Sequence, residues 1–488
     1  MDGGSQEIIG RKRHRSSTED ARKALGDNGD RISCLPESLL LHILSFLEMP
    51  DVVRTCLLST RWRYLWVYTP CLDFEISDSS GISDKGNFID RSLFHHEGSK
   101  VEILLIYILY KDTLARQIDS WIRFALRHNV EDFTLDLFNN EYPESEWWDT
   151  HYKLPHSLFN CGSLRKLVLS FCDLNLPYSM HLCSLKKLEL QHLDISGDQI
   201  AHLTSCCPLL EDLCFHGCNR FEDLNIIIPN PNLKNLQIYE YTGVEYDSKI
   251  MISAPNLCHL YFNWCLPREK YEFKNLSSLV TAKFYDLYKQ EYHDKELTEG
   301  DGYEWARLLG DLHCVKELEF CVYFIQVISV WEVEKLRSFP INAARIKLAT
   351  SLSKFELPGI FYLLKNSTKL EALTLYSVAA EDVMLSKNIK EKFDFDEIQY
   401  LESKEAEASS MLQNLKTITF DFGTIALDME DIEFVKFLLR NSKALEKMTV
   451  NIGKNSPSFG DNYKELCIFM DKLLAIPRAS TDCEVYVI

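Results

Sequence analysis

One apolar spacing, L-x-x-L-x-L, recurs along the chain and limits its possible folds more than any other feature. It reads at Val130/Phe133/Leu135, Leu164/Leu167/Leu169, Leu185/Leu188/Leu190, Leu210/Leu213/Phe215, Leu233/Leu236/Ile238 and Leu257/Leu260/Phe262. Weaker copies follow at Leu279/Ala282/Phe284, Val315/Leu318/Phe320, Leu352/Phe355/Leu357, Leu370/Leu373/Leu375, Leu415/Ile418/Phe420 and Leu445/Met448/Val450. From Leu164 to Leu279 successive copies start 21 to 25 residues apart. A unit that short cannot bury its own apolar side, whereas several stacked units bury a shared column. The pattern therefore predicts a solenoid in which each unit supplies a short strand and a return segment.

Side chains alternate along a strand, so the same register names the opposite face. The exposed set is Lys187, Glu189 and Gln191; Asp212, Cys214 and His216; Asn235, Gln237 and Tyr239; His259, Tyr261 and Asn263; Thr281, Lys283 and Tyr285. Tyr239, Tyr261 and Tyr285 are expected on consecutive strands about 5 Å apart. Tyrosine gives contact area at low entropic cost, so this face is the candidate protein-recognition surface. Its candidate contacts are Lys187, Glu189, Gln237, Tyr239, Tyr261, Asn263, Lys283 and Tyr285. Cys172, Cys218 and Cys265 each fall three residues after the last apolar strand position, where leucine-rich repeats carry Asn or Cys to satisfy the turn.

Ahead of the repeats the periodicity is helical. Pro36 suits a helix start and Glu37 complements the positive end of the helix dipole. Leu39, Leu40, Ile43, Leu44 and Leu47 recur at spacings of three and four. Pro50 and Asp51 open a second helix carrying Val53, Cys56 and Leu57, and Ser59 is placed to cap a third with Trp62, Leu65 and Trp66 on one face. Three short helices bury too little surface to be comfortable alone, which points to a partner that completes the core.

The run DRISCLPESLLLHILSFLEMPDVVRTCLLSTRWRYLWVYTPCLDF resembles the plant F-box, with its Leu-Pro opening, Ile-Leu-x-Phe-Leu helix, Val-Arg-Thr turn and Ser-x-Arg-Trp-Arg-x-Leu-Trp close. One departure is Thr60, where a basic residue is usual. The resemblance implies docking on a Skp-type adaptor and, through it, a cullin and a RING subunit of an SCF ubiquitin ligase. Carried over by position, it implies that Leu35, Pro36, Ile43, Leu44, Leu47, Leu57, Trp62 and Leu65 include the adaptor contacts, some of them packing the internal core. The chain's end, notably Leu-Leu-x-Asn-x-x-x-Leu-Glu-Lys-Met, resembles the FBD module of plant F-box/leucine-rich-repeat proteins.

The expected class is therefore α/β: a three-helix F-box, a leucine-rich-repeat solenoid or horseshoe, and an FBD-like α/β module. The boundaries read as a disordered tail to residue 29, F-box 30–74, connector and first strand-helix unit 75–128, repeats 129–387, charged loop or helix 388–410, and FBD-like segment 411–488. Within the tail, Arg11, Lys12, Arg13 and Arg15 form a basic cluster of the kind read by nuclear import receptors. The 488-residue chain as a whole carries a formal charge of −19, which argues against nucleic acid or a membrane surface as partner and favours an unknown protein target. VEILLIYILY at Val101–Tyr110 is too short to cross a bilayer, and no leader-like apolar run follows the basic cluster, so a nuclear or cytoplasmic site is expected.

The 16 cysteines are then read as reduced thiols. Only Cys214 and Cys218, around His216, approach knuckle spacing, and no second pair answers them, so no metal is expected. Phosphate loops, nucleophile elbows and His-Glu-x-x-His are lacking, so neither cofactor nor active site is expected. The reading is a non-catalytic substrate receptor, with a scaffold that binds the adaptor but recruits no cullin as its alternative.

Overall fold

The computed structural model describes residues 32, 34–76, 84–98, 100–138, 152–218, 224–228, 230–239, 250–263, 271–285, 308–333, 339–378, 390–421, 431–451 and 471–488. The basic cluster at Arg11–Arg15 and Cys265 lie outside them. The chain divides into two units, Met1–Ile108 with Arg116–Val130, and Leu109–Ala115 with Glu131–Ile488.

In the first unit, helix α1 (Glu37–Leu44) begins at Pro36, and α2 (Met49–Arg54) carries Pro50 in its first turn and runs on as a 3-10 turn, Thr55–Leu57. The expected third α-helix does not form. Residues 60–64 are turn and Leu65–Tyr68 is a 3-10 helix. The buried residues explain this: Leu65 and Val67 are both buried only two positions apart, which one face of an α-helix does not allow. Ser59 Oγ is buried without a hydrogen-bond partner rather than capping a helix. Strands β1 (Cys71–Glu75) and β2 (Ile103–Tyr107) pair in parallel. The stretch read as a mixed connector contains helix α3 (Lys85–His95), started by the Asp84 side chain accepting from the Asn87 amide at 2.9 Å. Helix α4 (Ala115–Arg127) buries Ile118, Trp121, Ile122 and Ala125, the face its spacing predicts.

In the second unit the strands are β3 (Asp132–Asp136), β4 (Lys166–Ser170), β5 (Lys187–Gln191), β6 (Asp212–His216), β8 (Asn235–Tyr239), β10 (His259–Asn263), β12 (Thr281–Tyr285), β13 (Glu317–Phe320), β14 (Arg345–Thr350), β15 (Ala372–Ser377), β16 (Thr417–Asp421), β17 (Lys447–Asn451) and β18 (Glu484–Val487), all but β14 and β18 lying on a triplet read from sequence. They lie side by side in that order in one parallel sheet. Three intervening strands, β7 (Leu224–Ile227), β9 (Ile250–Ser253) and β11 (Tyr271–Lys274), form a separate parallel sheet from the return segments. The triplet side chains are the core: Leu167, Leu188, Leu236, Leu260 and Ala282 are fully buried. Phe171, His192 and Gly217 take φ of 54°, 50° and 57°, ending β4, β5 and β6 in the left-handed region. From there the Phe171, His192 and Gly217 amides donate to the Gln191, His216 and Tyr239 carbonyls.

One triplet is misplaced by sequence. Leu352/Phe355/Leu357 is not a rung, because Leu352 has φ of 57° and the helix Leu357–Asn366 follows it. The rung is Ala343/Ile346/Leu348, which β14 buries. Of the loop or helix expected for the charge-rich segment, the helix forms, and it is packed rather than solvated on all sides. This helix (Glu397–Met411), capped by Asp396, buries Leu401, Ala408 and Met411, and Tyr400 meets Phe361 edge-on at 5.7 Å. The FBD-like segment supplies β16 to β18, so it continues the same sheet.

Candidate functional site

The two faces named by sequence lie in different units. In the first, α1 splits its leucines: Leu40 and Leu44 are fully buried, while Leu39 and Ile43, one position earlier in each case, are 47% and 38% exposed. The outward row continues to Phe46, whose ring meets His42 at 4.9 Å and is 74% exposed, and beyond α2 Leu57 and Leu58 are also exposed. Pro36 is exposed, Leu35 and Leu47 are half-buried, and Trp62 and Leu65 are buried. The Arg61 guanidinium donates to the Leu35 carbonyl and ties the Leu-Pro opening to the Trp62 turn. Of the eight residues carried over from the F-box pattern, Leu44, Trp62 and Leu65 are therefore internal supports, because their side chains already fill the core between α1 and the Leu65–Tyr68 turn. Phe46 and Leu58 share this exposed surface without having been named, and Leu39, named in the helical stripe, stood outside the carried-over set although its i, i+4 pairing with Ile43 was an available signal. This much clustered exposed apolar surface is the mark of an interaction site.

In the second unit the strands align without stagger, so their outward side chains form three rows. Across the middle row run Glu189, Cys214, Gln237, Tyr261, Lys283, Glu319 and Lys347. The row at the strands' C-terminal ends holds Ser170, Gln191, His216, Tyr239, Asn263 and Tyr285. The three tyrosines are thus on neighbouring strands but not abreast: Tyr261 sits in the middle row, and Asn263 stands between Tyr239 and Tyr285. That position leaves Asn263 fully buried and out of reach of a target, while Tyr239, Tyr261 and Tyr285 remain half-buried.

These polar groups are held before any partner arrives. Gln191 Nε2 donates to Glu189 at 2.6 Å, Lys187 lies 3.6 Å from the same carboxylate, and Tyr239 Oη donates to Gln237 at 3.2 Å. Lys283 Nζ stands 5.4 Å from the Tyr261 ring centroid and 3.2 Å from Glu319. Burial opposes the Lys283 charge, yet Glu319 outweighs it and holds the ammonium above its ordinary range. Burial first, then Glu319, raises the Tyr285 hydroxyl. Glu317 continues the network to Lys347 at 2.8 Å and Arg345 at 3.2 Å, and the Lys347 hydrogen bond holds its carboxyl low. Sequence reasoning stopped at β12 and so missed Glu317, Glu319 and Lys347, which the same alternation could have named.

Toward β4 the strand ends become aromatic. Phe171 stacks on His192 at 4.3 Å and 7°, His192 meets His216 at 5.7 Å, and His216 meets Tyr239 at 5.6 Å. Burial lowers His192 to about 4 and also lowers His216, so both rings are neutral at pH 7. On β3, Asp136 Oδ1 is buried without a hydrogen-bond partner and burial pushes its carboxyl up to about 6.

The comparisons with known proteins match this arrangement segment by segment. The F-box domain matches residues 32–72, the LRR repeats of FBD-associated F-box protein At5g56370 match residues 118–278, and FBD matches residues 409–450. F-box/LRR-repeat protein At3g03360 of Arabidopsis thaliana is 30% identical over 373 residues, covering 73% of this chain and 72% of that one. Another Arabidopsis thaliana relative is 30% identical over 455 residues, 90% of each chain. The chain belongs to the F-box/FBD/LRR-repeat family. F-box/FBD/LRR-repeat protein At1g13570, also of Arabidopsis thaliana, matches it at 27% over 473 residues, 93% of this chain and 98% of that one.

In F-box/FBD/LRR terms, the exposed leucines belong to the F-box and the tyrosines to the LRR rungs. The ladder cysteines also fit the repeats. Cys172 and Cys218 are buried, and the Cys218 thiol donates to the Leu190 carbonyl at 3.3 Å, on the neighbouring rung. Burial pushes the Cys214 and Cys207 thiols up to about 12, leaving them protonated and poor ligands or nucleophiles. Among the described residues no group of three or more His, Cys, Asp or Glu is arranged to hold a metal ion, and no helix is long and apolar enough to cross a membrane.

Proposed function

We propose that this protein is the substrate-recognition subunit of an SCF-type ubiquitin ligase, binding a Skp-type adaptor through the F-box and a target protein through the LRR strand face. F-box/LRR proteins typically serve as such receptors. The observation that carries the reading is the outward row Leu39, Ile43 and Phe46 with Leu57 and Leu58, apolar surface that the F-box's own short helices leave open. Leu35, Pro36 and Leu47 flank this contact, and Leu44, Trp62 and Leu65 brace it from within. The receptor is non-catalytic. It raises the effective concentration of the target near a ubiquitin-loaded enzyme brought by the cullin and RING subunits. The target is a protein read by Lys187, Glu189, Gln237, Tyr239, Tyr261, Lys283 and Tyr285, and the basic cluster at Arg11–Arg15 directs part of the population to the nucleus.

Co-purification from cells tests this. Replacing Phe46 and Leu57 by Asp should remove adaptor and cullin together, since single anchors at such interfaces commonly contribute about 2 kcal/mol or more. Adaptor retained on the double variant would overturn the F-box contact, and wild-type protein that brings adaptor without cullin would favour a scaffold.

A further inference from the structure

We propose that the groove between α3 and α4 docks an acidic peptide segment carrying an apolar anchor. The groove has a volume of about 530 Å³, and none of its lining residues belongs to the adaptor or target sets. Its floor is the fully buried Trp121, whose indole N–H donates to Asp90 Oδ1 at 2.6 Å, while Gln117 Nε2 donates to Asp90 Oδ2 at 2.6 Å. Both oxygens of this carboxylate are thus engaged by neutral donors, which fixes α3 against α4. On the walls, Arg91 and Arg127 are exposed, and neither has an ion pair among the described residues. Phe94 is 83% exposed beside a buried Leu93, and Phe124 stacks on His128 at 4.0 Å.

The charge is what selects the partner. Acidic residues outnumber Lys and Arg by 72 to 53 in this chain, so two guanidiniums without ion pairs, facing a single lining carboxylate, Asp90, whose oxygens are already taken by Trp121 and Gln117, run against its composition. A guanidinium fork matches a carboxylate with paired hydrogen bonds, and an apolar side chain laid against Phe94, Leu93 and Phe124 would remove the exposed ring from water. A polyphosphate partner would use the arginines but meet the repulsion of the whole chain and leave the apolar lining unused.

The test uses the full chain and fluorescence anisotropy with a labelled synthetic peptide, Glu-Asp-Glu-Leu-Phe-Glu-Asp. Comparison probes are the same peptide with Lys at its acidic positions, the same peptide with Ser-Ser in place of Leu-Phe, and a labelled heptauridine strand. Saturable binding of the first peptide alone is expected. The double variant Arg91→Glu/Arg127→Glu should weaken it at least about tenfold, and Phe94→Ser should weaken it independently. Because all three side chains are exposed, melting temperature and adaptor binding should stay at wild-type values; Arg91→Gln/Arg127→Gln serves if charge reversal lowers the melting temperature. No saturable binding, equal binding by the arginine variants, or binding of the uridine strand alone overturns the proposal. Failure of the adaptor contact would leave this result standing, since the two sets share no residue.

Discussion

The middle rungs and the later rungs of the LRR sheet solve the same closure problem in different ways. From β6 to β12 the rungs start at Asp212, Asn235, His259 and Thr281, no more than 24 residues apart, and their return segments are the short strands β7, β9 and β11. From β13 to β16 the starts are Glu317, Arg345, Ala372 and Thr417, at least 27 residues apart, and the returns are the helices Val322–Val333, Leu357–Asn366 and Glu397–Met411. A strand advances about 3.3 Å per residue and a helix about 1.5 Å, so a longer return can span the same gap only by coiling. Sheet register is indifferent to the choice. What differs is how each region satisfies its buried polar groups.

The helical returns converge on Glu356, fully buried, which accepts from Thr350 Oγ1 at 2.5 Å and from the Ser351 amide and hydroxyl at 2.7 Å each. The strand-like returns rely on neutral groups such as Asn230, whose Nδ2 donates to the Cys207 carbonyl at 2.6 Å and the Thr204 carbonyl at 3.3 Å. The largest expected effect follows from this contrast. Glu356→Ala strands several buried donors and should destabilise the chain by about 3–5 kcal/mol in urea unfolding. A cost near zero would mean that the helical half does not depend on its hub.

Gly359→Ala comes next. An added Cβ would meet the Ile325 carbonyl at 2.3 Å and Ser329 Oγ at 2.7 Å, where that hydroxyl accepts from the Gly359 amide, so a loss of about 2–3 kcal/mol is expected. Asn230→Ala in the middle rungs should cost only about 1–2 kcal/mol, and a value equal to that of Glu356→Ala would erase the contrast.

The smallest effect separates β3 from both regions. Asp136 keeps its proton to about pH 6 when folded but ionises near 4 when unfolded. Its contribution is therefore fully present below about pH 4 and is lost as pH rises through about 6. Asp136→Asn should flatten that decline and leave the variant about 1 kcal/mol more stable at pH 7, with urea midpoints across the range as the readout. Parallel profiles for the two proteins would show that Asp136 is solvated.

The strands were legible because the triplet leucines report burial directly, and at Leu164, Leu185 and Leu210 nothing competes with that signal. Leu352 mimicked the spacing because a turn and a helix start can place apolar residues at the same intervals, and only the left-handed backbone there distinguishes them. Glu397–Met411 hid its packing for another reason: its buried face is just Leu401, Ala408 and Met411 among Glu402, Lys404, Glu405 and Glu407. In the candidate site, alternation identified the outward face but could not say which neighbours would cover Asn263. In the F-box, a pattern shared with relatives marks both contacts and their supports, so Trp62 and Ile43 looked alike until burial divided them.

The absence of stagger between strands makes each rung a cassette. Removing Asn235 to Cys258 in one piece would bring His259 beside Asp212 and Tyr261 beside Cys214, with every row intact and only the sequence of neighbours altered. Removing one residue inside a strand would instead turn its core side chains outward, because side chains alternate with a period of two. Inherited variation in this face can thus proceed by gain, loss and shuffling of whole rungs, much as a lock is rekeyed by exchanging pins while its barrel stays the same.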